Sequence, residues 1–428
     1  MVSSQRRRRC LKDRALLGLP VIGLAAVTAL GSCRNSTEPT PGRIVIVSRV
    51  EALFPGQQES LLIAIDSVLL DPGAAEWTSL EPGVVAVDTA GVVAALQVGT
   101  ARIVASAPTG SDTIALQVID PPSGRIVFVG IEQEPQPGDA FRLYEIQANG
   151  QGLRPLGFSD IGNPAISPDG TMLAVSVGDL PRILVLSADA TRFLYEPTRG
   201  LGCGAGTPAW APDSRSVAFS SCASGQFEVW LSSLDGSSRR QLTQFGGFTA
   251  QSSSFTPDGA ALIVEVFVQD SGATNPQAGQ TELFRVDTAT GALVRLTTTP
   301  EHELEPFVDI GRSRLYYSRT LPNAPASRPT APATAVFRSD LEVQASTQVT
   351  DLGIGLAGFA DAANYPSTSP DGEWLVFSFT TESYALPGMR LGDYLILNRE
   401  EIHVMRLADR VKVRLTHFWS ANQPAWAP

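Results

Sequence analysis

The phrase Ser-Pro-Asp-Gly recurs along this 428-residue chain, and its spacing limits what the chain can fold into. It stands at Ser167–Gly170 and Ser369–Gly372, with looser copies at Thr256–Gly259 and Ala211–Ser214. The prolines fall at 168, 212, 257 and 370. The long last gap holds one degenerate copy, Glu305–Gly311, followed by Arg314-Leu-Tyr-Tyr-Ser318. Each copy sits between two strand-like runs, such as Asn163-Pro-Ala-Ile166 and Met172-Leu-Ala-Val-Ser176. Pro presets φ, Asp can bond its own backbone, and Gly supplies a positive φ, so the phrase is a turn. Short strands repeating at this period predict a β-propeller rather than separate domains.

The chain ends in Gln423-Pro-Ala-Trp-Ala-Pro428, the first half of a repeat. The complementary half, a turn plus second strand, opens the region at Pro122-Ser-Gly-Arg-Ile-Val-Phe-Val129. The first blade is therefore expected to take its inner strand from the C-terminus. Inner strands then start near Asn163, Thr207, Gln251, Leu304, Asn364 and Asn422, which makes six blades. Closure of this kind removes exposed sheet edges.

Thr207-Pro-Ala-Trp-Ala-Pro-Asp-Ser214, then Glu228-Val-Trp-Leu231, then Arg240-Gln-Leu-Thr243 resembles the propeller repeat of the TolB family. Arg295-Leu-Thr297, Gln348-Val-Thr350 and Arg414-Leu-Thr416 are further strand ends of that kind. The resemblance covers about residues 121–428. It implies a propeller that binds protein partners through one mouth. Fold alone does not fix function, because propellers host many roles.

Upstream, residues 42–120 carry a different strand pattern, including Arg43-Ile-Val-Ile-Val-Ser48 and Leu61-Leu-Ile-Ala-Ile-Asp66. Trp77-Thr-Ser79 and the run from Val84 through Asp88-Thr-Ala-Gly91 to Ile103 resemble the bacterial immunoglobulin-like domain, group 2. That resemblance implies a small β-sandwich acting as a spacer, with a surface adhesin that binds glycans as the alternative. TolB proper has a small α/β domain in this place, so a role in the Tol–Pal system is not implied. Pro121–Gly124 reads as the joint to the propeller.

The N-terminus reads as a processing segment. Arg6–Arg9, Lys12 and Arg14 precede the apolar stretch Ala15–Leu30, which is short for a membrane span. Leu30-Gly-Ser-Cys33 resembles the lipobox of bacterial lipoproteins, which implies cleavage after residue 32 and lipidation of Cys33. An ordinary secretory signal and a twin-arginine export signal at Arg7-Arg-Arg-Cys-Leu-Lys12 stay open beside it. Arg34 after the Cys implies the outer membrane, facing periplasm or cell surface. Residues 33–41 form the tether. Loss of residues 1–32 takes the formal charge from −11 to −16. An acidic chain of this kind does not track a phosphate backbone, so nucleic acid is not an expected partner.

Cys10 leaves with the signal and Cys33 takes the lipid, so two cysteines remain in the folded part, Cys203 and Cys222, and both fall in one blade. An oxidising compartment favours a disulfide between them. No paired histidines, Gly-x-Ser-x-Gly elbow or phosphate-binding loop occurs, so no catalytic residue and no cofactor is expected. Calcium is the one candidate ion. Glu301, Glu303 and Glu305 alternate before an inner strand and would share one side of an extended chain. They are candidates for a basic partner, for Ca²⁺, or for a solvated loop. Asp169, Asp213, Asp258 and Asp371 are expected to bond their own turns instead. Phe158, Phe245, Phe248, Phe359, Tyr365, Phe418 and Trp419 lie in the approaches to inner strands. They either form an interface or fill gaps between blades.

The expected protein is all-β, a β-sandwich followed by a six-bladed propeller closed by its C-terminal strand. Its expected role is non-catalytic binding of an envelope protein or peptide. Glu301, Glu303, Glu305, Phe248, Phe359, Tyr365 and Trp419 are the candidate contacts. A propeller-based polysaccharide lyase or hydrolase with a channel metal is the alternative.

Overall fold

The second strand of each repeat carries a run of three consecutive hydrophobic residues, and the structure shows why. In the computed structural model, Leu173–Val175, Val217–Phe219, Leu262–Val264, Leu315–Tyr317, Leu375–Phe377 and Ile126–Phe128 are buried to 1% exposure or less. Each run lies inside a blade with neighbouring blades on both faces, so within the run both faces are apolar. The structure describes residues 43–427, apart from 67, 134–135, 137, 179, 247–248, 270–278, 323–331, 354–359 and 384–396.

Among the described residues, six four-stranded antiparallel blades follow one another. Blade 1 joins Ser420–Ala427, as its innermost strand, to Arg125–Ile131, Arg142–Gln147 and Arg154–Ser159. Blade 2 is Ile161–Ile166, Met172–Val177, Arg182–Ser187 and Phe193–Tyr195. Blade 3 is Ala205–Trp210, Ser216–Ser221, Glu228–Ser233 and Arg239–Gln241. Blade 4 is Thr249–Phe255, Ala261–Gln269, Gly279–Asp287 and Leu293–Arg295. Blade 5 is Glu303–Asp309, Arg314–Thr320, Thr334–Ser339 and Thr347–Gln348. Blade 6 is Ala362–Thr368, Trp374–Ser383, Leu397–Arg406 and Lys412–Arg414. The innermost strands touch in sequence around a ring, and the C-terminal one meets that of blade 2. Ser420–Ala427 pairs with Arg125–Ile131 from Arg125↔Ala427 to Ile131↔Ser420, so the two ends of the propeller share one blade.

The repeated turn works locally. Asp258 Oδ1 accepts from the Thr256 hydroxyl at 2.6 Å and from Ala260 N–H at 3.0 Å. Asp169, Asp213 and Asp371 make the same kind of backbone bond, to Thr171, Arg215 and Glu373. Gly170, Gly259 and Gly372 hold φ of 71°, 68° and 60°, where a Cβ is disfavoured. Ser214 replaces the glycine in the fourth copy at φ 57°. The Leu-Thr strand ends have a role of their own. The hydroxyls of Thr243, Thr297, Thr350 and Thr416 accept from the third-strand N–H groups of Val229, Leu283, Val336 and Ile402 at 2.9 Å. Each extends a short outer strand by one side-chain bond.

Cys203 and Cys222 form a disulfide across the inner edge of blade 3, with Cα atoms 5.5 Å apart. Closing a loop of 19 residues in this way contributes roughly 3 kcal/mol on the chain-entropy estimate.

The N-terminal strands form three small sheets around a separate core. The first is Ile44–Ile46, Ile63–Ile65 and Val68–Leu70. The second is Gln58–Ser60, Val92–Ala95 and Val85–Val87. The third is Glu76–Ser79, Gly99–Ala107, Gly110–Val118 and Ala52–Leu53. Leu53, Leu61, Val85, Val93, Ile103 and Leu116 pack between them. Asp88 Oδ1 ties the Asp-x-x-Gly turn through Ala90 and Val92 N–H, and Trp77 lies against Gly91.

Pro121–Gly124 is not the sole connection to the propeller. Ala52 pairs in parallel with Val413, so the third sheet runs directly into the outer edge of blade 6. Arg49 meets Asp361 at 2.6 Å, Lys412 meets Glu51 at 3.1 Å, and Arg414 bonds both Glu59 and Glu401. Phe54 packs edge-on against Trp374. Among the described residues no helix is long and apolar enough to cross a membrane.

Candidate functional site

Every inner strand slips register at the same level. The shifts fall between Gly162 and Ala165, Gly206 and Ala209, Ala250 and Ser253, Leu304 and Phe307, and Asn364 and Ser367, with the matching one opposite Val127–Val129. In five blades the two slipped residues are an X-Pro pair. Proline has no N–H to give the ladder, so a bulge is where it can sit. The residue before it takes a positive φ: 50° at Asn163 and Thr207, 54° at Glu305 and Tyr365, 53° at Gln423. Blade 4 has Gln251-Ser252 there instead. Non-glycine residues avoid this region, so five such positions in one ring mean that the surroundings hold them.

Those surroundings are visible as a relay between blades. Asn163 N–H donates to Gln423 Oε1 at 2.7 Å, Glu305 N–H to Glu265 Oε2 at 2.8 Å, and Tyr365 N–H to Glu305 Oε2 at 2.7 Å. Each of these three bulges thus hands its freed N–H to a side chain of the preceding blade. Second-strand serines brace three bulge side chains. Ser176 holds Asn163 at 3.0 Å, Ser220 holds Thr207 at 3.0 Å, and Ser318 donates to Glu305 Oε2 at 2.8 Å.

The bulges enclose a cavity of about 240 Å³ on the axis. Its wall includes Asn163, Thr207, Gln251, Tyr365 and Gln423, together with the carboxylates Glu265 and Glu305. Among the described residues no Lys, Arg or His is part of that wall. Burial, then the charge of Glu265, then that of Glu400, push the Glu305 carboxyl up to about 8. Burial raises Glu265 as well. The phenol of Tyr365 is raised far above its usual range, chiefly by Glu305. A buried carboxyl with a raised pKa is the ordinary response to desolvation beside a like charge.

Only part of the sequence-predicted site converges here. Glu305 and Tyr365 face the cavity. Glu303 does not. It is fully buried within blade 5, where it accepts from Arg319 at 3.0 Å and from Thr299 at 2.6 Å. Glu301 is half-buried before the strand. The expected shared face of the three glutamates is lost because the bulge at Glu305 breaks the two-residue alternation. Trp419 is half-buried at the start of the closing strand, donating its N–H to Ile131 O at 3.0 Å, and is not part of the cavity wall. Phe245 and Phe418 are core residues: Phe245 packs on Phe284, and Phe418 on Phe128 and Tyr144. Phe248, Phe359 and Cys33 lie outside the described residues. Among the described residues no group of three or more His, Cys, Asp or Glu side chains is placed to hold a metal ion.

No protein-family model matches the chain, and no curated protein matches it in sequence. Solved structures do. TolB from Acinetobacter baumannii superposes with a TM-score of 0.52 at 19% identity, over 78% of this chain and 80% of that one. A protein described as TolB from Agrobacterium tumefaciens gives 0.46 at 14% identity, over 72% and 99%. An oligogalacturonate lyase in complex with manganese gives 0.41 at 11% identity, over 85% and 86%. The propeller is TolB-like. At these identities the likeness concerns fold alone.

Within this TolB-like ring, sequence reasoning missed Glu265 as a site residue. A signal was present: it is the lone acid in the apolar run Leu262-Ile-Val-Glu-Val-Phe-Val268. A charge inside a fully buried strand needs a partner or a cavity.

Proposed function

We propose that this chain is an envelope-anchored, non-catalytic binding protein whose propeller mouth engages a protein or peptide. In this reading Cys33 carries the lipid anchor at the outer membrane, and the N-terminal sheets are an immunoglobulin-like domain. The observation that carries the binding reading is the ring of bulges. Six repeats present five residue types to one axial cavity: Asn163, Thr207, Gln251, Glu305, Tyr365 and Gln423. A symmetric ion site would repeat one residue type; a tailored recognition surface varies it. The continuous sheet into blade 6 fits a platform that holds the mouth in a fixed direction. A rigid site loses less entropy on binding.

Crosslinking capture from envelope extract, with the wild-type chain and a Tyr365→Ala/Gln423→Ala variant as baits, tests the mouth. The expected result is a protein retained by the first bait and weakened at least tenfold, as a purified pair, with the second. Equal retention would place the interface elsewhere. For the anchor, Cys33→Ala is expected to move the protein from the detergent phase to the aqueous phase; unchanged partitioning would overturn it.

Polysaccharide cleavage in the channel is the second reading, and it draws on Glu305. A carboxyl neutral at pH 7 beside a tyrosine is a candidate proton donor. Turnover of an acidic oligosaccharide that Glu305→Gln abolishes would replace the binding reading.

A further inference from the structure

Buried glutamates in this protein come in three kinds. The first kind has an arginine. Glu145 meets Arg125 and Arg154, Glu282 meets Arg295, Glu303 meets Arg319, and Glu59 and Glu401 share Arg414. The second kind is Glu228. It has no cation, yet Phe245 N–H bonds Oε1 and the Thr243 hydroxyl bonds Oε2, so both oxygens are satisfied. Glu265, with the half-buried Glu305 beside it, is the third kind. Glu265 is 3% exposed, and its two bonds, from the Ser252 hydroxyl and Glu305 N–H, both fall on Oε2. Glu305 takes its two, from the Ser318 hydroxyl and Tyr365 N–H, also on Oε2. Among the described residues neither has an ion-pair partner, and each keeps its Oε1 without a hydrogen bond. Both line the same cavity.

Leaving a buried carboxylate without a compensating charge is costly; Glu303 and Glu401 also keep one oxygen without a hydrogen bond, but each pairs with an arginine, which Glu265 and Glu305 lack. The cavity wall supplies two carboxyls, the amide side chains of Asn163, Gln251 and Gln423, the ring of Tyr365, and no cation. A cation entering from the mouth would meet acceptors and an aromatic face together. A hard divalent ion wants six or more oxygens around it, whereas an ammonium group needs three acceptors and tolerates prolines in the wall. The cavity, about 240 Å³, has room for an alkyl stem behind the charged head.

We propose that the axial cavity binds a protonated primary amine on an alkyl stem, held between Glu265 and Glu305. This deepens the mouth-binding reading and rests on it for the source of the amine, a lysine side chain of the bound protein. A small diffusible diamine offers the same chemistry. Binding should be linked to pH. The groups facing Glu305 are Glu265 from blade 4, and Tyr365 and Glu400 from blade 6. With its carboxyl at about 8, Glu305 is protonated in the empty cavity at neutral pH and must release that proton to pair with an ammonium. Affinity therefore rises as pH climbs toward 8, while a lysine amine stays protonated throughout.

The test is calorimetric titration of the purified chain with 1,5-diaminopentane, with a short acetylated peptide bearing one central lysine, and with CaCl₂, at pH 6 and pH 8. Wild type is expected to bind an amine probe on the order of tenfold or more tightly at pH 8 than at pH 6. Glu265→Gln/Glu305→Gln should lose that binding at both pH values, and Glu305→Gln alone should lose the pH dependence. Melting of the variants at or above the wild-type temperature shows that they fold. If a variant fails to fold, N-pentylacetamide, which keeps the alkyl stem but carries no ammonium, should not bind wild type. Absence of amine binding by wild type, equal binding by the folded double variant, or binding of calcium alone would overturn the proposal. Amine binding without any protein held at the mouth would support it and sink the protein-partner reading. A partner held equally well by the double variant would do the reverse.

Discussion

At the residue scale, the repeat motif turns out to be a set of local hydrogen-bond solutions. The aspartates of the turn bond residues two positions on, so their role was legible from the phrase itself. The threonines of the Leu-Thr strand ends were legible as a pattern but not as chemistry, because their partners lie 14 residues upstream in another strand. Thr297 shows what such a residue contributes. Its hydroxyl accepts from Leu283 N–H and donates to Glu282 Oε2 at 2.7 Å, with Glu282 fully buried. Thr297→Val keeps the volume and removes both bonds. Stability is expected to fall by about 1–3 kcal/mol, seen as a lower urea midpoint with an unchanged slope. A midpoint within error of wild type would mean that water replaces the hydroxyl.

At the element scale, the informative departure is the bulge. Asn163-Pro164, Thr207-Pro208, Glu305-Pro306, Tyr365-Pro366 and Gln423-Pro424 stand out in the sequence, and the variety of the residue before proline was visible there. Its consequence was not. A strand read with strict alternation puts Glu301, Glu303 and Glu305 on one side, whereas the slip at Glu305 sends Glu303 to Arg319 and Glu305 to the axis. The aromatic residues taught the same lesson. Phe245 and Phe418 sit in loop-like sequence, yet the gaps between wedge-shaped blades absorb them.

At the scale of the whole molecule, closure and docking govern. The closing strand buries Ala421, Trp426 and Ala427, and without its last residues Arg125–Ile131 would expose an unpaired edge. Deleting residues 422–428 is expected to cost at least about 3–5 kcal/mol, the usual loss for one buried tryptophan, and to promote association through that edge. Thermal melting with light scattering checks this; a truncated chain that melts like the full one would mean the ring does not depend on its seam. The number of blades, the approximate starts of the inner strands and the seam followed from the sequence, because turn residues and short apolar runs are dictated by neighbours in the chain. Two things were decided only by the tertiary structure: the fusion of Ala52–Leu53 to blade 6, and the meeting of Glu265 with Glu305 and Tyr365 at the axis. Both join residues from separate repeats or separate cores. Spacing along the chain encodes the period of a ring, but only closure of the ring brings side chains from different blades together at its centre.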